Sequence, residues 1–202
     1  MALTDKLTAI GNAIREKTGT TDLMPLTDMP QAILNIAGGG APEGNYKEAF
    51  NALSHASFTN ATIERIDFYI ANPFVTHNGF FRNTRKLKYI KGVNLSNSSD
   101  IRLMFSGSAI ETIEEPLDFS QVNDTTNGFA CDHLTEVRFV SGTIKKSITF
   151  NRCSTLSAQS VQSIIDGLAT GTTAQTLTFN SAIILTDAQK ASITAKGWTL
   201  AQ

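Results

Sequence analysis

The sequence predicts a mixed α+β protein: a short, β-rich solenoid of repeated coils, led by N-terminal helices and closed by an α/β C-terminal cap. Three observations predict it. Phe58, Phe81, Phe105 and Phe129 are separated by 23, 24 and 24 residues, and Phe150 follows after 21. Leu3, Leu7, Ile10 and Ile14, spaced 4, 3 and 4 apart, open the chain with one apolar stripe of a helix. After residue 156 the period breaks, and helical spacing, one alternating strand and a capping motif replace it.

The first helix runs over residues 3–17 and stops at Gly19, a residue free to take positive φ after a helix end. A second begins near Asp28, with Leu26, Met29, Ile33 and Ile36 on one side. Asp28 suits its cap, and Pro30 is tolerable because it falls in the first turn. Isolated helices below ~12–15 residues are marginal in water, so these stripes need a partner. It is either the rest of the chain, further copies or a larger assembly. The Gly-rich stretch beginning GGGAPEG at residue 38 reads as a linker over 38–45. The domains expected are therefore 1–37, a helical attachment or oligomerisation module; 38–45, the linker; 46–156, the solenoid; and 157–202, the cap.

Within the middle part the phenylalanines carry a ladder. Ile63 and Ile66 follow Phe58 at +5 and +8, as Ile110 and Ile113 follow Phe105, and Leu134 and Val137 follow Phe129. Leu87 and Ile90 follow Phe81 with one residue inserted. Second apolar segments (Val93 and Leu95, Leu117 and Phe119, Ile148 and Phe150) are set off by Gly, Asn, Ser and Asp, the residues of tight turns. A coil of this kind exposes apolar edges above and below, and only stacking covers them.

Cys131 and Cys153 each stand three residues before a ladder leucine, Leu134 and Leu156. Thr84, Asn60 and Gly107 hold the corresponding places before Leu87, Ile63 and Ile110. Small or hydrogen-bonding side chains at one corner explain both cysteines as buried free thiols. The Cys131-x-His133 spacing is not that of a zinc site, and no third group orients a Cys/His pair. No metal or other cofactor is expected. His133 reads as a surface residue.

From residue 155 the stretch TLSAQSVQSIIDGLA places Val161, Ile164, Ile165 and Leu168 on one helical face, with Ser157 as cap. TLTF at 176–179 alternates as a strand does. Thr186-Asp187-Ala188-Gln189 has the form of a capping box, its helix ending near Gly197 before a last strand at Trp198 and Leu200. A helix over the open end would shield strand edges from aggregation.

The net charge of −1, without a Lys/Arg block, excludes nucleic acid as the main partner. No run of 18 apolar residues occurs, and Asp5 and Glu16 interrupt the N-terminal stripe, so neither a secretory signal nor membrane insertion is expected. The one acidic cluster, Glu111, Glu114 and Glu115 followed by Asp118, falls at a turn and reads as a solvated corner. No nucleophile elbow or phosphate loop appears, so no catalytic residues are assigned and no enzyme is expected.

FACDHLTEV, FNRCSTL and FFRNTRKLKYI resemble the BspA-like leucine-rich repeat over about residues 57–157, with Thr84, Gly107 and Asn60 departing from its cysteine. That resemblance makes the expected fold a short leucine-rich-repeat solenoid. The C-terminal LSAQSVQSIIDGLA…LTDAQKASITAKGWTLA looks like the end of such proteins in bacteriophages and prophages. The N-terminal LTDKLTAIGNAIREKTG is similar to a helical module at the front of phage tail, baseplate and fibre proteins. The resemblance implies a virion structural protein, assembled in the host cytoplasm. Leu3, Leu7, Ile10 and Ile14 would attach it to other virion proteins or to its own copies, a homotrimer being favoured. The repeat surface would bind a bacterial surface glycan or protein. Tyr69, His77, Tyr89, Arg102 and Arg138, out of phase with the ladder, are the candidate receptor contacts. A virion decoration that binds no receptor and a bacterial surface adhesin are the alternatives.

Overall fold

The computed structural model describes Asn12 and residues 58–61, 63–70, 75–171 and 174–202. The chain divides into two compact units, Met1–Ala56 and Ser57–Gln202, and the second holds all the strands among the described residues. The two expected N-terminal helices, the stripe Leu3, Leu7, Ile10 and Ile14, and the 38–45 linker all lie outside the described residues.

The elements run β1 (Arg65–Ile70), β2 (Tyr89–Val93), β3 (Thr112–Ile113), β4 (Ile148–Phe150), α1 (Ala158–Gly167), β5 (Gln175–Phe179), α2 (Asp187–Ala195) and β6 (Trp198–Ala201). They form two parallel three-stranded sheets, ordered β1-β2-β3 and β4-β5-β6. In the first, Ile66 pairs with Ile90 and Ile90 with Ile113, so the ladder isoleucines share the inner face. A register shift between Ile66 and Tyr69 breaks simple alternation in β1.

The core is a column of rings. Phe58, Phe81 and Phe105 stack nearly parallel, at centroid separations of 5.4 and 5.2 Å. Phe105 to Phe129 is 5.5 Å, Phe129 to Phe150 4.9 Å and Phe150 to Phe179 6.1 Å. Burial of each such side chain contributes about 1.5–3 kcal/mol. Phe80 and Phe139 meet the column edge-on, and Phe119 stacks beside Phe129.

Beside the column the backbone climbs by turns. Phe58, His77, Gly79, Phe81, Asn83, Ile101, Leu103, Phe105 and Gly107 each donate an N–H to a carbonyl about one period later, at 2.8–3.0 Å. Two rows of left-handed residues make these turns possible: Asn60, Asn83 and Gly107, and Gly79, Leu103 and Asn127. Asn and Gly adopt that conformation at low cost, which accounts for every member except Leu103. Thr76, Asp100 and Asp124 are bridged in parallel, and each closes a side-chain turn onto the N–H two residues on.

The expected leucine-rich-repeat solenoid is not what forms. Such a solenoid would carry one continuous sheet through every layer, whereas strand pairing runs through β1–β3 and again, separately, through β4–β6. Among the described residues, isolated bridges such as Thr112↔Glu136 and Leu117↔Phe139, and no strand, reach from the first sheet to the layer beyond β3. The physical reason is α1. Val137 and Phe139 donate their N–H groups to the Ser160 and Ser163 hydroxyls of that helix, at 3.0 and 2.9 Å. Helix side chains thus satisfy the donors that another strand would have taken.

The C-terminal segment is not a terminal cap either. Ser157 caps α1 by accepting from Ser160 N–H, and Thr186 with Gln189 forms a complete capping box at α2. Each helix then feeds a new strand parallel to the last, Ile148 pairing with Leu177 and Leu177 with Leu200. The segment extends the second sheet by strand–helix–strand units instead of closing a stack.

Candidate functional site

The outer face of the first sheet gathers the largest group of candidate contact residues. Arg65, Tyr89, Thr112 and Glu136 are neighbours in register across the strands and the bridge beyond them. Side chains on this face point away from Ile66, Ile90 and Ile113. The Arg65 guanidinium lies 3.7 Å over the centre of the Tyr89 ring, a cation–π contact. Arg65 also pairs with Asp67. The Tyr89 hydroxyl donates to the Glu114 carboxylate, and this hydrogen bond above all pushes its pKa up to about 12.

Tyr69 completes the group one row away. It pairs with Gly92, where a Cβ would lie 2.7 Å from the Glu115 Cβ and 2.8 Å from the Tyr69 ring. The absence of a side chain at residue 92 is what leaves room for the Tyr69 ring beside it. Partial burial, then the Glu115 and Asp118 charges, raise the Tyr69 pKa. Lys88 and Glu111, 3.0 Å apart, flank the face. Both phenols stay protonated, as hydrogen-bond donors, and the arrangement suits binding. Tyr and Arg side chains held rigidly by neighbours are the residue types that dominate interface energies. Glu111 and Glu114 of the acidic cluster are thus ion-paired or hydrogen-bonded to residues of this face.

The other candidate contacts lie elsewhere. Arg102 belongs to the turn ladder, where it forks onto Asp100 at 3.1 and 2.8 Å and reaches Asp124 at 3.4 Å. The Arg102 hydrogen bond holds the Asp100 carboxyl below its usual range, so the guanidinium is already engaged. Arg138 projects beside α1, where it lines a groove with Gln159, Gln162 and Asp166. His77 is a correction: it is fully buried against Phe80, with ring centres 5.0 Å apart, and offers no surface to a receptor. Being out of phase with the ladder placed it outside; packing of its ring against Phe80, tilted by 58°, holds it inside.

Cys131 and Cys153 are buried free thiols in adjacent layers. The Cys153 thiol donates to the Cys131 and Phe129 carbonyls at 3.3 and 3.4 Å. Its hydrogen bond to Cys131 and the burial of the site push the Cys131 thiol well up, which keeps it from acting as a nucleophile. The row continues upward as Ser108 and Thr84, whose hydroxyls lie 2.8 Å apart. Asn60 and Gly107, expected in that row, stand one residue earlier, in the left-handed row. His133 is exposed and lines a small hollow of about 290 Å³ with Arg85 and Asp132. Among the described residues, no group of three or more His, Cys, Asp and Glu side chains is placed to hold a metal ion. None of the helices among them is long and apolar enough to cross a membrane.

Sequence reading missed Arg65, Gly92 and Glu114. The signal was available: Arg65 precedes Tyr89 by 24 residues, one period, so register alone sets them side by side. Comparison with protein-family models, curated proteins and solved structures finds no match.

Proposed function

We propose that the protein is a structural component of a phage virion, in the tail, baseplate or fibre, and that the unit Ser57–Gln202 presents a binding surface to a bacterial host receptor. The observation that carries this reading is the Arg65–Tyr89–Glu114 group with Tyr69: aromatic and charged side chains immobilised on an exposed sheet. Prior ordering spares a binding face the entropy of fixing those side chains on contact. The likeness of the two chain ends to phage proteins supplies the setting. In that setting Leu3, Leu7, Ile10 and Ile14 attach the protein to other virion proteins or to its own copies, as a trimer. Linked copies raise avidity by ~10²–10⁴ over a single contact, so each receptor contact can be weak.

The test uses fluorescently labelled full chain, the 57–202 unit and a Tyr89→Ala variant on intact cells from a panel of bacterial strains. Binding of the unit to cells of some strain, reduced about 30-fold by Tyr89→Ala, is the expected outcome. If no strain is bound and the chain instead captures another virion protein through residues 1–56 alone, the protein is a decoration without a receptor.

A further inference from the structure

A groove of about 550 Å³ runs between α1 and the segment from Arg138 to Ser141, lined also by Phe139 and, at one end, by Lys196. Its helical wall is the stripe Gln159, Gln162, Ser163 and Asp166. These positions recur at the 3- and 4-residue steps of one helix face. The opposite stripe, Val161, Ile164, Ile165 and Leu168, is buried in the core. The same amphipathic pattern that docks α1 therefore leaves a row of amide, hydroxyl and carboxylate groups facing a trough. The trough is rigid: Phe139 N–H bonds the Ser163 hydroxyl on its floor, and Gly142 N–H bonds the Asp166 carbonyl at its end.

The donors and acceptors along it are only partly used. Gln162 donates to one Asp166 oxygen at 2.9 Å and accepts from Gln189 at 3.2 Å, which fixes both side chains. Among the described residues, the second Asp166 oxygen remains an open acceptor. Lys196 spends its ammonium on the Ile165, Asp166 and Leu168 carbonyls. Arg138 is exposed, and among the described residues no carboxylate pairs with it. The charged lining is thus Arg138 and Lys196 against Asp166, one positive charge in excess.

We infer that this groove is a binding site for an acidic saccharide. Arg138 takes the sugar carboxylate in its planar fork, while Asp166, Gln159 and Gln162 hydrogen-bond to hydroxyl groups. Polar groups make up somewhat more than half of the exposed lining, with Phe139 supplying an apolar surface against which a sugar ring can rest, and the volume falls among small-molecule sites of ~300–1,000 Å³. The inference rests on the receptor-binding reading and names the receptor chemistry at a second surface.

The experiment titrates ¹⁵N-labelled full-length protein with digalacturonate and, separately, with neutral digalactose. Digalacturonate is expected to shift amides of residues 138–141 and 159–166 and to bind at least tenfold more tightly than digalactose. Arg138→Gln should remove that preference without changing the melting temperature, because the side chain is exposed. Absence of shifts at 20-fold excess over ~1 mM, the weak end of useful affinities, overturns the inference, as does an unchanged preference in Arg138→Gln. The labelled proteins on intact cells separate the two readings. If cells are bound equally by wild type and Arg138→Gln, the groove is not the receptor site although host attachment stands. If no cells are bound but digalacturonate still fills the groove, the site stands and host attachment falls.

Discussion

Burial of His77 makes a pH dependence. Desolvation lowers its pKa from 6.5 to about 4 in the folded protein. Between those values the unfolded chain binds a proton that the folded chain excludes, so stability rises with pH through the window. Roughly 3 kcal/mol present above pH 6.5 is lost as the pH falls to about 4. Asp100 and Asp132, held below their usual range chiefly by Arg102 and Arg152, lose their contributions only below about pH 4. Urea unfolding at pH 7.5 and 4.5 should show the difference in the wild type and little of it in His77→Phe. Leu103 presents the opposite case, a strained residue with an available cure. Its φ of 58° sits in a row whose other members are Gly79 and Asn127. A leucine there costs about 1–2 kcal/mol that Asn largely avoids. Leu103→Asn should therefore raise stability by about 0.5–1 kcal/mol, and a lowered urea midpoint would show that the side chain packs more than it strains.

Helix ends hold the second sheet together. Lys196, just past α2, places its ammonium 2.8–3.0 Å from the Ile165, Asp166 and Leu168 carbonyls at the end of α1. Trp198 Nε1–H donates to the Ala169 carbonyl at 2.8 Å in the same stretch. One lysine thus adds a donor to carbonyls at the end of the helix and offsets the negative end of its dipole. Partial burial of the ammonium lowers its pKa, and the Asp166 charge opposes that shift only in part. Lys196→Met keeps the stem and removes the charge, and should cost about 2 kcal/mol. Lys190→Met, which loses only an exposed contact with Asp187 at 4.0 Å, should stay within about 0.5 kcal/mol. Differential scanning calorimetry of the two variants measures the contrast. Equal losses would mean that the Lys196 stem, and not its charge, matters. The caps themselves, Ser157 and Thr186, were readable from local sequence because a cap bonds within its own first turn. The Lys196 clamp was not, because it joins residues about 30 apart.

Across the whole unit the ring column is the shared core of both sheets. Phe105 is wholly buried between Phe81 and Phe129. Phe105→Ala should cost about 3–5 kcal/mol, a large part of the ~5–15 kcal/mol that holds a typical domain. Ile184→Ala, at a side chain 93% exposed, should change little. Guanidinium unfolding of both variants provides the comparison, and a small effect at Phe105 would mean the column can collapse around the gap.

Much of this column is visible in the bare order of residues. Phenylalanines at steps of 23 or 24 must face one way if they are to be buried together, and the isoleucines after them follow. Cap residues, the absence of a basic block and the exposed position of Arg138 come from the same local evidence. Four things do not: that pairing lapses beyond β3, that α1 serines replace a strand, that β5 and β6 prolong a sheet, and that His77 turns inward. Each depends on which group across a period, or beyond it, completes a hydrogen bond or a packing contact. A periodic pattern specifies the face a side chain presents, but its partner there is settled only when distant segments compete for the same backbone donors and the same space.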